Sequence, residues 1–314
     1  MADLDAAAPG VSVLHQLNAC NRRLAHMLDN LRSASDAEAA LRAVAADVIH
    51  AVEANADIAI AAVLLNQIAG SYAVRHCIET AVLVAVLARR LGKSGADIQT
   101  VAAAALTMNV GMLGHQDSFQ DKHTPLSGEE QAIVRRHPED SATLLQCAGV
   151  QDQAWISCVL LHHENDDGSG YPAGLARPEV TLDAKLLSLA DRYCALVSAR
   201  NYRRSMLPDA ALRKLRDDRA SPVDPGLLDL FRDELGDYPP GCLVRLHGGD
   251  IGVVSTRGAG AGTAQVVCLR DAAGMAVPAG ARSLPATAIA AALSEDDADI
   301  RFSMKQVWGP QAGL

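Results

Sequence analysis

Apolar residues recur at helical spacing along the first 235 residues. Between 11 and 33, Val13, Leu17, Cys20, Leu24, Met27 and Leu31 follow alternating steps of four and three, the heptad seam of a coiled coil. The seam spans only about three heptads, near the minimum for such a reading. It fits a homodimer joined through residues 1–35, and it fits equally a helix packed on its own domain. The segment "DAEAALRAVAADVIHAVEA" from residue 36 is amphipathic, and "AVRHCIETAVLVAVLARRLG" is apolar nearly all round. The latter predicts a buried helix closed by Gly92. "SGEEQAIVRRH" opens with Ser127 and has Glu130 three places on, a capping box. "DQAWISCVLLHHE" predicts a helix running into two histidines, the loop "NDDGSGYPAGL" breaks it, and "DAKLLSLADRYCALVSA" predicts the next helix.

The pattern changes near residue 236. "CLVRL" (242–246) and "IGVVS" (251–255) alternate around a Gly-Gly turn, and "TAQVVCL" (263–269) supplies a third strand. The expected organisation is mainly α: an N-terminal amphipathic helix (1–35), a helical domain (36–235), and a small β domain with a poorly specified tail (236–314).

Composition narrows the partners. The 314 residues carry a formal net charge of -9 and no long basic run, which argues against DNA, whose affinity comes from phosphate neutralisation. The cysteines have no CxxC spacing, the usage of a reducing compartment. The uncharged run at 58–74 holds Asn66, Gln67, Gly70 and Ser71 and falls short of the roughly 20 apolar residues that cross a bilayer. A cytoplasmic protein without a membrane anchor is expected.

The candidate chemistry lies among the buried polar residues of the helical region. His76 lies within the buried helix, His137 stands in "RRHPED", His162 and His163 are adjacent, and Asp191 sits in the apolar context "LSLADRYCAL". One such histidine is usually a hydrogen-bonded core residue. Four with an aspartate are costly to bury unless they are paired or bind metal, and imidazole with carboxylate suits Zn, Fe or Mn. Gly168 and Gly170 let a backbone approach a ligand closely. Tyr171 adds a hydroxyl, and Arg200 and Arg203 are forks for a phosphate. Together they suggest a metal-assisted phosphoester site.

"HHENDDGSGYP" (162–172) resembles the HHExxDGxGYP signature of the HD-GYP family of bacterial cyclic di-GMP phosphodiesterases. The resemblance extends over about 36–220, through "RHCIETAVLVAVLARRLG", "PLSGEEQAIVRRHPE" and "LSLADRYCALVSARNYR". It implies an HD-type helical bundle around a metal centre, with His76, His137, His162, His163 and Asp191 at ligand positions. Tyr171, Arg200 and Arg203 match substrate-phosphate contacts.

The resemblance also exposes a departure. Where the family carries its name-giving His-Asp pair and a nearby lysine, "ALTMNVGML" (105–113) places Met108, Asn109 and Met112. His115 and Asp117 lie several residues out of register. Tyr72 stands where members with a third metal have an acidic residue. Asparagine is a poor bridge between cations, and methionine is a soft ligand. His137, His162 and His163 still offer the three-imidazole count of catalytic zinc, with His76 and Asp191 left as remnant ligands. One divalent ion (Fe, Mn or Zn) is therefore expected, and not two.

Two functions follow from the resemblance. One is a degenerate HD-GYP protein that binds cyclic di-GMP, a related nucleotide or a signalling partner through the GYP loop, with little or no hydrolysis. The other is a phosphodiesterase with a one-metal centre.

Overall fold

A computed structural model describes residues 12–120, 122–198, 205–258, 264–278 and 283–314. Most helices begin at a side-chain cap. Ser12 starts α1 (Val13–Asp29), α2 (Glu38–Ala54) follows, and Asn55 caps α3 (Ala56–Leu64) by accepting from the Ile58 N–H. Then come α4 (Tyr72–Arg90), α5 (Gly95–Thr107), capped by Ser94, and the short α6 (Leu113–Gln120). The capping box read from Ser127 and Glu130 opens α7 (Gly128–Cys147), and Asp152 caps α8 (Gln153–Leu161). Thr181 caps α9 (Leu182–Val197), and α10 (Pro208–Asp217) and α11 (Pro225–Leu235) each start on proline, whose missing N–H is harmless in a first turn.

The core centres on α4. From Ala73 to Ala88 every residue but Arg75 is buried, because α5, α9, α2, α1 and α3 surround it. Its end follows the expectation. Gly92 takes φ 69°, its N–H reaches the Arg89 carbonyl, and the Lys93 N–H reaches that of Ala88, the paired bonds of a Schellman cap. The helix into the histidines stops sooner than expected. α8 ends at Leu161, and His162 and His163 stand in the turn closed by the Glu164 N–H on the Leu161 carbonyl.

Of the two arrangements that the stripe between 11 and 33 fits, the described residues show a helix packed on its own domain. Val13, Leu17, Cys20, Leu24 and Leu31 are each at most 4% exposed, because α1 packs on α2, α3 and α4. The stripe is used inside the chain.

The C-terminal part is a five-stranded antiparallel sheet, β4-β3-β2-β1-β5, built from β1 (Leu243–Leu246), β2 (Ile251–Thr256), β3 (Gln265–Arg270), β4 (Ser283–Pro285) and β5 (Ile289–Leu293). The expected hairpin is present, pairing Leu243 with Val253. The tail is better specified than the sequence suggested. β5 pairs with β1, and α12 (Glu295–Ala298) and α13 (Met304–Trp308) follow. Met304 and Ala312 join the main helical core, and the Trp308 indole N–H donates to the Ser255 carbonyl at 2.7 Å. Arg257, at the end of β2, reaches Asp57 of α3 at 2.6 Å. No described helix is long and apolar enough to cross a membrane.

Candidate metal centre

Two helices bring the histidines together. His137 lies in the interior of α7, and His162 and His163 follow α8. One nitrogen of each ring comes within 4.8 Å of the others, the one such grouping of His, Cys and carboxylate donors among the described residues. His137 and His162 are fully buried.

Hydrogen bonding sets which nitrogens face inward. His137 Nδ1 lies 2.6 Å from the Val134 carbonyl, and His162 Nδ1 lies 2.6 Å from the Val159 carbonyl. A carbonyl only accepts, so each Nδ1 carries the proton and each Nε2 is a bare lone pair. The two Nε2 atoms are 3.2 Å apart. Two lone pairs at that distance repel unless a cation lies between them. Burial opposes a proton there: it pushes His137 down to about 3, with His162 adding to the effect. His162 and His163 are likewise pushed down, burial being the main cause. A metal suits the spacing. Nitrogens about 2.0–2.1 Å from a tetrahedral zinc ion lie about 3.3 Å from one another.

His76 and Asp191 form a separate pair. The His76 Nε2 lies 2.7 Å from the Asp191 Oδ1, while its Nδ1 is buried without a hydrogen-bond partner among the described residues. Burial alone would raise the Asp191 carboxyl, but the bond from His76 and the nearby His163 and His162 outweigh it and hold the group below the usual range. Tyr72 stacks on His76 with ring centroids 5.3 Å apart, so it supplies an aromatic face where an acidic ligand would stand.

The segment from Met108 to Met112 packs beside the cluster. Met108 is fully buried, and its carbonyl accepts from Ser141 of α7 at 2.9 Å. Gly111 donates its N–H to the same hydroxyl at 2.9 Å. A Cβ at Gly111 would fall 2.6 Å from the His137 carbonyl, so the glycine permits the close approach. The Asn109 Oδ1 is buried and has no hydrogen-bond partner among the described residues. Asp117 is turned elsewhere, accepting from the Ala73 N–H at 2.9 Å at the start of α4, and the His115 ring stacks on Phe119.

The loop after the histidines is pinned by a residue that sequence reasoning passed over. Glu164 accepts from the backbone N–H groups of Ala173 at 2.7 Å, Gly174 at 3.1 Å and Leu175 at 3.0 Å. Its place directly after the histidines was the available signal. The Tyr171 N–H bonds the His163 carbonyl at 3.0 Å, and the rings of the two residues stack with centroids 4.7 Å apart. Gly168 takes φ 76°, and a Cβ on Gly170 would sit 2.5 Å from the His163 carbonyl. Burial pushes the Tyr171 hydroxyl up, which keeps it a neutral donor. Arg200 and Arg203 lie outside the described residues.

Residues 34–227 match the HD domain family. The chain is 30% identical over 246 residues to the cyclic di-GMP phosphodiesterase PA4108 of Pseudomonas aeruginosa, covering 77% of this chain and 59% of that protein. It is 35% identical over 147 residues to the cyclic di-GMP phosphodiesterase response regulator RpfG of Xanthomonas campestris, covering 46% and 38%. A 3'3'-cGAMP-specific phosphodiesterase 3 of Vibrio cholerae is 30% identical over 169 residues, covering 54% and 36%. The chain thus spans between 36% and 59% of the length of these relatives. The solved structure of Bd1817, an HDG"Y"P protein from Bdellovibrio bacteriovorus, superposes with a TM-score of 0.57 at 19% identity, covering 74% of each chain. With the HHENDDGSGYP signature folded against a histidine cluster, the chain belongs to the HD domain family, in its HD-GYP branch.

Proposed function

We propose that this protein is a degenerate HD-GYP member in cytoplasmic cyclic di-GMP signalling, one that binds cyclic di-GMP or a related nucleotide and hydrolyses it little or not at all. One observation carries the reading. The grouped donors are three imidazoles with no carboxylate among them, and the neutral Asn109 stands where a bridging aspartate would be. Asp191, the nearby acid, is engaged by His76. Two cations about 3.5–4 Å apart need a shared anion between them, so the residues fit one ion and not two.

His137, His162 and His163 would hold that ion. When bound, it supplies Lewis-acid attraction for a phosphate oxygen. The chain's own part is recognition. Tyr171, held against His163, presents a neutral hydroxyl to the phosphate, and Gly168 and Gly170 shape the loop around it. Arg200 and Arg203 are proposed as further phosphate contacts. The same loop is where a signalling partner would dock. The intact three-histidine set also favours a second reading, a slow one-metal phosphodiesterase.

Metal analysis of protein loaded with Zn, Mn or Fe, beside binding and hydrolysis of cyclic di-GMP, tests both. The expected result is about one ion per chain, metal-strengthened binding, and turnover far below the roughly 1–1000 per second of ordinary enzymes. Turnover in that range overturns the first reading, and absence of metal after loading overturns both. The triple change Met108→His, Asn109→Asp, Met112→Lys should raise metal content towards two and increase hydrolysis.

A further inference from the structure

We propose that Pro138 is a positioning residue that fixes the tautomer of His137, and through it the direction of a metal-binding lone pair. Pro138 lies buried in the interior of the 20-residue α7, where proline is costly because it removes a backbone hydrogen bond and crowds the preceding turn. In a regular helix the N–H of residue 138 would bond the carbonyl of Val134. Proline has no N–H, and its ring crowds that carbonyl. The half-buried Val134 oxygen is left without its helical donor, and the His137 Nδ1 takes it at 2.6 Å. A neutral imidazole has one proton. Once it is committed to Nδ1, Nε2 faces His162 as a lone pair, 3.2 Å from its counterpart.

His162 reaches the same state by another route. Val159 is in the last turn of α8, where carbonyls lack helical partners, and its oxygen receives the His162 Nδ1 at 2.6 Å. α7 does not end at His137 but continues to Cys147. An interior histidine would meet only carbonyls already taken by the helix, and the proline frees one.

The tautomer follows from the hydrogen bonds alone. Its consequence for metal affinity rests on the metal reading above, and the test separates the two. The full chain, metal-free and 15N-labelled, is examined by long-range imidazole NMR, then titrated with Zn and Mn. In the native sequence His137 and His162 should both be Nδ1–H tautomers. Pro138→Ala restores an N–H to compete for Val134, so His137 alone should move towards the Nε2–H form. His162 then serves as the internal control. Zn affinity should fall roughly 10-fold or more, the cost typical of losing an outer partner of a ligand, while thermal stability stays level or rises. That opposition of sign excludes general damage. An Nε2–H tautomer for His137 in the native sequence overturns the proposal without need of any variant, as does an unchanged His137 tautomer in Pro138→Ala. A native protein with the expected tautomers that binds neither metal leaves the positioning role intact and overturns the metal reading alone.

Discussion

The three-histidine cluster and the His76–Asp191 pair share one helical body and bury their polar rings in opposite ways. His76 gives a donor to an acceptor, and the contact closes at 2.7 Å with nothing added. His137 and His162 give their protons to backbone carbonyls and turn two acceptors on each other at 3.2 Å. That contact needs no cation, although the His76 Nδ1 has no hydrogen-bond partner among the described residues, whereas the cluster leaves two lone pairs facing each other, which the proposed cation would join. Among buried histidines, an Nε2 that already meets a carboxylate needs no cation, and one that meets another lone pair does.

The comparison breaks most severely if the cluster is removed. His162→Ala with His163→Ala should abolish metal binding, a larger loss than the roughly 10–100-fold that outer partners cost. Equilibrium dialysis with Zn measures it, and residual stoichiometric binding would place the site elsewhere. His76→Ala should do the reverse. Asp191 would be left as a buried, unpaired carboxylate, an error that costs about 3–5 kcal/mol, while Zn binding at the cluster persists. Urea unfolding of metal-free protein should therefore show His76→Ala less stable than His162→Ala. Loss of Zn together with His76 would mean that pair and cluster are one site.

The legible and illegible parts of the molecule divide along the same physical line. Local signals were readable: the Ser127 capping box, the Gly92 helix end and the Gly-Gly hairpin are each decided within a few residues. The residue types of the cluster were readable too, because buried histidines are costly. What the α1 stripe packs against was not readable, since a seam buried on α2 and one buried on a second chain have the same spacing. The C-terminal tail was obscure for a similar reason. Met304 and Ala312 take their places in the core only through contacts with residues far away in sequence. The division of His76 and Asp191 from the cluster depended on side-chain direction, which spacing leaves open.

A smaller effect should come from the loop that carries Tyr171. Glu164 accepts three backbone N–H groups, and Glu164→Ala would strand them. A loss of roughly 1–3 kcal/mol is expected from unpaired buried donors. Amide hydrogen exchange at Ala173, Gly174 and Leu175 should accelerate, while His137 and His162 keep their tautomers. Unchanged exchange at those three amides would show that Glu164 does not hold the loop.

The smallest effect sharpens the comparison by adding a third buried polar group. Glu79 lies one turn after His76 on α4 and is fully buried. Its carboxylate accepts from the Ser198 hydroxyl at 2.6 Å and lies 3.2 Å from Arg75. Both Glu79 and Asp191 are removed from water, yet their titrations shift in opposite directions. For Asp191 the histidines outweigh burial and the carboxyl is pushed down. For Glu79 burial outweighs Arg75 and Ser198, and the carboxyl is pushed up. The folded state therefore holds the Glu79 proton more tightly than the unfolded chain does. Stability contributed by this group is present below its unfolded value, about 4.3, and is lost as pH rises through the higher folded value. Glu79→Gln keeps an acceptor for Ser198 and removes the ionisation. The stability of the variant relative to the native protein should rise with pH above about 4.3, by at most about 1.4 kcal/mol per pH unit, and then level off. Asp191→Asn should show the opposite trend: its deficit should be smallest in acid, grow as pH rises towards the unfolded value of about 3.9, where the unfolded chain gives up its proton, and stay level above it. Urea unfolding between pH 3 and 8 reads both curves. A flat difference for Glu79→Gln would mean that Arg75 and Ser198 cancel the burial of the carboxylate.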